Sequence, residues 1–182
     1  KAVMDGKQVA ILVPTTVLAQ QHYETFMQRL AAFPVKVEML SRFRTDAQQK
    51  AIIRGLADGT VDLIIGTHRL LSDDVAFKDL GLVIIDEQHK FGVAQRETLV
   101  RKGNYPHLLV MTATPIPRSL ALTVYGDLDL SVMDEMPPGR QAVNTHLVSP
   151  RERERAYNLI RMQAQKGLQA FIIYPLVEES EK

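Results

Sequence analysis

Short apolar runs alternate along this chain with longer segments of helical spacing, and that alternation predicts a parallel α/β fold. The runs lie at residues 9–13, 35–40, 61–65, 82–85 and 108–111. The run at 82–85 is continuously apolar, as strands buried on both faces are. Residues 16–30 place Val17, Leu18, Tyr23, Phe26, Met27 and Leu30 near helical spacing, and residues 47–57 do the same with Ile52, Ile53 and Leu56. Both segments read as crossover helices. In Met136-Pro137-Pro138-Gly139-Arg140 the paired prolines remove backbone donors and the glycine frees the turn, so a domain boundary is expected there. Beyond it, a strand-like run at 143–148, a charged helix-like segment at 151–165 and another run at 170–174 begin a further β-α-β unit. About 40 residues cannot bury a complete core. The first strand also starts abruptly, and the sequence is expected to be a piece cut at both ends.

Composition narrows the chemistry. The 182 residues are 46% hydrophobic and 24% charged, values typical of a globular protein. No apolar run approaches the roughly 18 residues of a membrane span, and the opening residues form no secretory signal. A cytoplasmic protein without membrane contact is expected. With no cysteine a thiolate metal site is excluded, and the five histidines are too scattered to suggest an imidazole cluster, leaving Mg²⁺ as the metal to expect. A net charge of +1 gives no global field for nucleic acid, so any phosphate binding must come from local groups. The working unit is expected to be a monomer.

Asp86-Glu87-Gln88-His89 closes the fourth apolar run. Open α/β sheets bind ligands outside the carboxyl ends of their strands, so two adjacent carboxylates there read as a nucleotide-hydrolysis site. Asp86 would hold Mg²⁺ through water, and Glu87 would orient or deprotonate the attacking water. His89 follows the acids and can hydrogen-bond across the site; the competing reading of the whole tetrapeptide is a solvated turn. Pro14-Thr15-Thr16 joins the first strand to a helix, where amides and hydroxyls can grip a phosphate or simply cap the helix. Gly66-Thr67-His68-Arg69 follows the third strand in the same way and offers contacts to a nucleic-acid backbone, or else ordinary surface. Thr112, Ala113 and Thr114 end the fifth strand beside Pro115, and their hydroxyls would lie near the acids if the two strands are neighbours. Arg42-Phe43-Arg44 sets an aromatic between two cations, compatible with nucleic acid or with a charged loop around a core Phe. The alternating charges of residues 151–155 read as a solvated helix face.

In order, Pro-Thr-Thr, Gly-Thr-His, Asp-Glu-Gln-His and Thr-Ala-Thr-Pro resemble the motifs of superfamily 2 helicases and translocases of the DExH type. Phe91-Gly92-Val93, residues 112–118, Asp134 to Arg140 and residues 174–180 are similar to the RecG-type branch, ATP-dependent helicases of branched DNA. Residues 12–23 and Ser41-Arg42-Phe43-Arg44 look more like the transcription-repair coupling factors, duplex DNA translocases of the same superfamily. The resemblance implies a RecA-like, P-loop NTPase type of sheet: a first motor domain over residues 1–140 and the start of a second over 141–182. It implies ATP and Mg²⁺ as cofactors and DNA as partner, with RNA polymerase as a partner only under the coupling-factor alternative. By the same resemblance Asp86, Glu87, Gln88 and His89 are the catalytic box, with Asp86 on Mg²⁺. Thr112, Ala113 and Thr114 couple hydrolysis to movement, and Pro14, Thr15, Thr16, Arg42, Arg44, Gly66, Thr67 and His68 face DNA. One departure stands out. No Gly-x-x-x-x-Gly-Lys-Ser/Thr occurs in the sequence, so the phosphate cradle is missing, and the family's arginine finger would fall beyond Lys182. The excised chain is therefore expected to be inactive. A truncated module that binds DNA or a partner without hydrolysis is the alternative of a different class.

Overall fold

All five apolar runs of residues 1–113 form strands in the structure, a computed structural model that describes residues 1–113 and 128–173. They are β1 (Gln8–Leu12), β2 (Val37–Leu40), β3 (Leu63–Gly66), β4 (Leu80–Ile85) and β5 (His107–Val110). All pair in parallel, in the order β2-β3-β1-β4-β5. Between them run α1 (Thr16–Leu30), α2 (Asp46–Asp58) and α3 (Val93–Val100). Thr15 starts α1 by accepting the Leu18 amide at 3.2 Å, which satisfies one of the orphan donors of a first turn. Thr45 and Gln48 close a reciprocal capping box on α2. That helix ends at Gly59, whose φ of 84° is a left-handed conformation suited to a residue without Cβ.

Strands β1, β2 and β3 are covered on both faces, whereas the edge strand β5 leaves His107 and Leu109 exposed. Ala10, Leu12, Leu40, Ile64, Val83 and Ile85 pack with Ile52 and Leu56 of α2 and Leu99 of α3. On the other face Val9, Ile11, Met39, Leu63 and Ile65 pack with Ala19, Leu18, Tyr23 and Phe26 of α1. Each fully buried Leu or Ile contributes about 2 kcal/mol. The short α3 was absent from the pattern analysis, since it buries only Leu99 and leaves Val93 exposed.

The chain falls into two compact units, residues 1–128 and 129–182. In the described residues of the second unit the regular structure is a 3₁₀ turn, Pro150–Glu152, and α4 (Arg153–Gln165). The helix was expected, but the strands at 143–148 and 170–174 are not formed over the residues described. Residues 143–148 and 170–173 have no regular structure, and Val143, Leu147 and Phe171 are exposed. An apolar run becomes a strand only where a neighbouring strand takes its amides and carbonyls, and the described residues of this unit contain no strand to do so. Tyr174 lies outside the described residues.

Gln8 opens β1 from inside the core. Its amide nitrogen donates to the carbonyls of Leu56 and Val61 at 2.9 and 2.8 Å, and its Oε1 accepts the Asp79 amide at 2.9 Å. The β1–β4 register shifts beside it, between Gln8 and Val9. Replacing Gln8 by Ala would strand the Val61 carbonyl and the part-buried Asp79 amide, while the Leu56 carbonyl keeps the Lys78 amide at 3.1 Å, at a cost of about 2 kcal/mol. Urea denaturation checks this, and a loss below about 1 kcal/mol would show that water or repacking satisfies those groups.

Candidate functional site

A parallel sheet brings every strand's carboxyl end to one edge, and here that edge carries the sequence-predicted groups in spatial order. Residues 41–44 follow β2, residues 67–68 follow β3, residues 13–16 follow β1, the acid box follows β4, and Met111-Thr112-Ala113 follow β5. The chain leaves β1 toward β2 on one side and leaves β4 toward β5 on the other. The crevice of such a topological switch lies between β1 and β4.

The acid box is pinned on both sides of that crevice. The Asp86 amide donates to Leu12 of β1 at 3.0 Å, while beyond β5 Met111 donates to Ile85 at 2.8 Å and accepts from the Gln88 amide at 3.2 Å. Glu87 has φ 50° and ψ 49°, a left-handed conformation rare outside glycine. The turn directs the Glu87 amide onto Asp86 Oδ1 at 2.9 Å. The other oxygen, Oδ2, lies 2.9 Å from Nε2 of His22, on α1. His89 Nδ1 stands 3.4 Å from Glu87 Oε2. Gln88 is buried, and Asp86 and Glu87 are half-buried at 20% and 32% side-chain exposure. The two acids thus reach solvent from a fixed backbone.

The other predicted residues divide by what holds them. Thr15 is exposed and spends its hydroxyl on the helix cap, with Pro14 and Thr16 half-buried on either side. A Cβ on Gly66 would come within 2.7 Å of the Leu40 carbonyl and of Leu70 Cγ, so close packing accounts for that glycine. Thr67 is half-buried, and the exposed His68 sets its ring 5.3 Å from that of Phe91, just past the acid box. Arg44 lies over the Tyr23 ring at 5.3 Å and donates to the Met39 carbonyl at 3.4 Å, while the exposed Arg42 lies over Phe43 at 5.9 Å. Arg69, adjoining the Gly-Thr-His corner, is committed elsewhere. It donates to both oxygens of Asp74 at 2.6 Å and to Gln49 Oε1 at 3.2 Å. That fork holds the Asp74 carboxyl below the usual carboxylate range and the Arg69 guanidinium above its ordinary value. The pair's stabilising contribution is therefore present above about pH 4 and fades as acid protonates Asp74. Thr112 and Ala113 are exposed beside the box, and Thr114 lies outside the described residues.

Oxygen donors suit Mg²⁺, which is held through one or two carboxylates and keeps several waters. Asp86 fits: each of its oxygens accepts one short bond and retains a lone pair. Among the described residues no three His, Asp or Glu side chains converge as a protein-only metal cage, so the cation would rest on Asp86, water and phosphate. A nucleotide's phosphates have no Gly-rich loop in this sequence to hold them.

A sequence model of the DEAD/DEAH box helicases matches residues 1–123. The chain belongs to this helicase family. It is 50% identical over 182 residues to the ATP-dependent DNA helicase RecG of Aquifex aeolicus, covering 99% of this chain and 23% of that protein. It is 54% identical over 144 residues to the transcription-repair-coupling factor of Haemophilus influenzae, covering 79% of this chain and 13% of that one. The solved structure of RecG bound to a three-way DNA junction matches with TM-score 0.76 and 48% identity over 94% of this chain and 23% of its own. The chain thus spans about a quarter or less of these relatives. Its sheet and flanking helices have the RecA-like fold of those motors.

His22 lies outside every motif singled out in the sequence. Its signal was present in the sequence, because Leu18, His22 and Phe26 fall at four-residue steps on the helix face that packs against the sheet. A polar ring on an apolar stripe needs a partner, and Asp86 is that partner. Glu87 makes a different point about stability. Its left-handed backbone costs about 1–3 kcal/mol for a residue with a Cβ, so Glu87→Gly is expected to leave the thermal midpoint level or raised, whereas Glu87→Val lowers it. A clear drop with glycine would show that the Glu87 side chain itself stabilises the turn.

Proposed function

We propose that this chain is the central part of an ATP-driven DNA helicase of the RecG type, which remodels branched DNA in recombination and repair. The observation that carries the reading is the shared sheet edge. It sets two carboxylates at the β1–β4 switch point beside the Thr-bearing corners of β1 and β3, in a chain half identical to a RecG.

Under this reading Asp86 receives Mg²⁺ through water, and Glu87 orients or deprotonates the water that attacks the terminal phosphate. Bound Mg²⁺ neutralises charge on the phosphate oxygens during transfer. Gln88 and His89 complete the box, with His89 close enough to Glu87 to hold its carboxylate in place. Thr112, Ala113 and Thr114, directly after β5, pass the state of the box to the DNA side. Pro14, Thr15, Thr16, Gly66, Thr67 and His68 line the DNA backbone, with Arg42 and Arg44 supplying positive charge. Residues 1–140 form the first RecA-like motor domain without its phosphate-loop segment, and 141–182 begin the second; two compact units, dividing earlier, between residues 128 and 129, support a two-part organisation. The edge position of β5 and the half-buried Leu82 and Ile84 suit a sheet that continues in a longer protein. That protein would work as a monomer in the cytoplasm.

A second reading rests on the 54% identity to a coupling factor: a duplex DNA translocase with RNA polymerase as its partner. One experiment separates the two. ATP hydrolysis by the full-length parent is measured without DNA, with linear duplex and with a three-way junction, for wild type and Glu87→Gln. Stimulation greatest on the junction and abolished in the variant is expected. Equal stimulation by linear duplex would favour the translocase, and the absence of any Glu87-dependent hydrolysis would overturn both in favour of a binding module. The isolated chain is expected to show no DNA-stimulated turnover above its own Glu87→Gln control, because phosphoryl transfer depends on several parts positioned together.

Salt dependence tests the DNA edge on its own. Removing one phosphate contact with Arg42→Ala should weaken binding of all DNA forms alike and reduce the slope of log affinity against log salt by about 1. An unchanged slope would place Arg42 off the DNA.

A further inference from the structure

Asp86 is held by a group outside every motif singled out in the sequence. His22 Nε2 lies 2.9 Å from Asp86 Oδ2, across the crevice between the helix that follows β1 and the end of β4. An ionised carboxylate only accepts hydrogen bonds, so the proton of this bond sits on Nε2 and His22 is the donor. The last torsion of an aspartate is intrinsically broad, and here two donors fix it from opposite sides: the Glu87 amide on Oδ1 and His22 on Oδ2. Each oxygen keeps a second lone pair able to accept from water, and the side chain retains 20% exposure. The imidazole is itself located by packing, at 26% side-chain exposure with its ring 6.4 Å from that of Phe26 on the next turn.

We propose that His22 is a positioning residue for the Asp86 carboxylate, setting the oxygens that receive Mg²⁺-bound water and tying them to α1. This rests on the nucleotide-motor reading above. Partners of metal-binding groups at one remove commonly alter metal affinity about 10-fold to 100-fold. Because Asp86 acts through water, the effect here belongs near or below the lower end of that range. The tie has a geometric consequence. Thr15 and Thr16, at the proposed DNA corner, begin the same helix that carries His22, so a shift of α1 on DNA reaches Asp86 through one side-chain bond.

The test uses the full-length parent protein and binding of a fluorescent ADP titrated with Mg²⁺ in the absence of DNA. His22→Ala is expected to raise the Mg²⁺ concentration at half-maximal binding about threefold to tenfold, with binding in EDTA unchanged and full binding restored by excess Mg²⁺. His22→Gln, whose amide nitrogen reaches nearly as far as Nε2 and donates, should stay within about twofold of wild type. His22→Asn, whose amide falls short, should behave like alanine. A merely structural histidine would give a binding loss that excess Mg²⁺ does not repair. That outcome, an alanine variant with the wild-type Mg²⁺ requirement, or a glutamine variant as impaired as alanine would overturn the proposal. Asp86→Asn distinguishes the two levels of failure. If it raises the Mg²⁺ requirement while His22→Ala does not, only the positioning role falls; if neither does, the metal role of Asp86 falls with it.

Discussion

The ladder between β1 and β4 decides where the chemistry can sit. It runs from Gln8 opposite Leu80 to Leu12 opposite Ile85, and its last bond joins the Asp86 amide to the Leu12 carbonyl. Strand side chains alternate with period two, so a slip of one residue would exchange the two faces of β4. Ile85 would move from the face covered by α2 and α3 to the α1 face, and Asp86 would lose its place opposite His22. Burial opposes that slip strongly, because Val83 and Ile85 are fully enclosed. Fidelity of the acid box is therefore set by apolar packing several residues upstream, together with the Gln8 amide that closes the lower end of the ladder.

Much of the first unit was legible because strands such as β1 and β3 are buried on both faces, and continuous apolar runs in a parallel sheet leave little ambiguity. The α1 range 16–30 follows from a capping threonine and a regular stripe. The acid box and the corners of β1 and β3 were legible because strand ends are marked by the switch from apolar to polar residues. What sequence could not supply was pairing. The sheet order sets Asp86 between β1 and β5, and only that order brings His22 to it or sets His68 over Phe91. The commitment of Arg69 to Asp74 is equally invisible to local pattern, since a five-residue separation across a turn has no fixed geometry. Residues 143–148 and 170–173 show the opposite failure: the local pattern is strand-like, but a strand is a property of two segments.

Glu87 illustrates how this site departs from local preference. A residue with a Cβ in left-handed backbone opposes folding locally, and the surrounding structure over-determines it. The Asp86 amide is bonded to β1, the Gln88 amide to Met111, and the Glu87 amide to Asp86 Oδ1. These bonds turn the chain sharply enough for two consecutive carboxylates to project from one strand end, where an extended strand would send them to opposite faces. Strain at this point is the geometric condition for having both acids at one edge.

Under the proposed reading, communication between the β1 and β3 corners and the acids has two material routes through the first unit. One is α1, a rigid rod of 15 residues with a rise of about 1.5 Å each. It sets His22 about 9 Å along its axis from the first helical residue. The other is the His68–Phe91 ring contact, which joins the β3 corner to the turn after the box. They differ in stiffness. A hydrogen bond at 2.9 Å tolerates little displacement before it weakens, whereas two tilted rings 5.3 Å apart can slide with small loss. Helix movement of about 1 Å would thus act chiefly through His22, while the ring pair would keep the β3 corner attached throughout. A coupling free energy of about 1–3 kcal/mol, the usual range between linked sites, is within what loss of one charge-assisted hydrogen bond supplies.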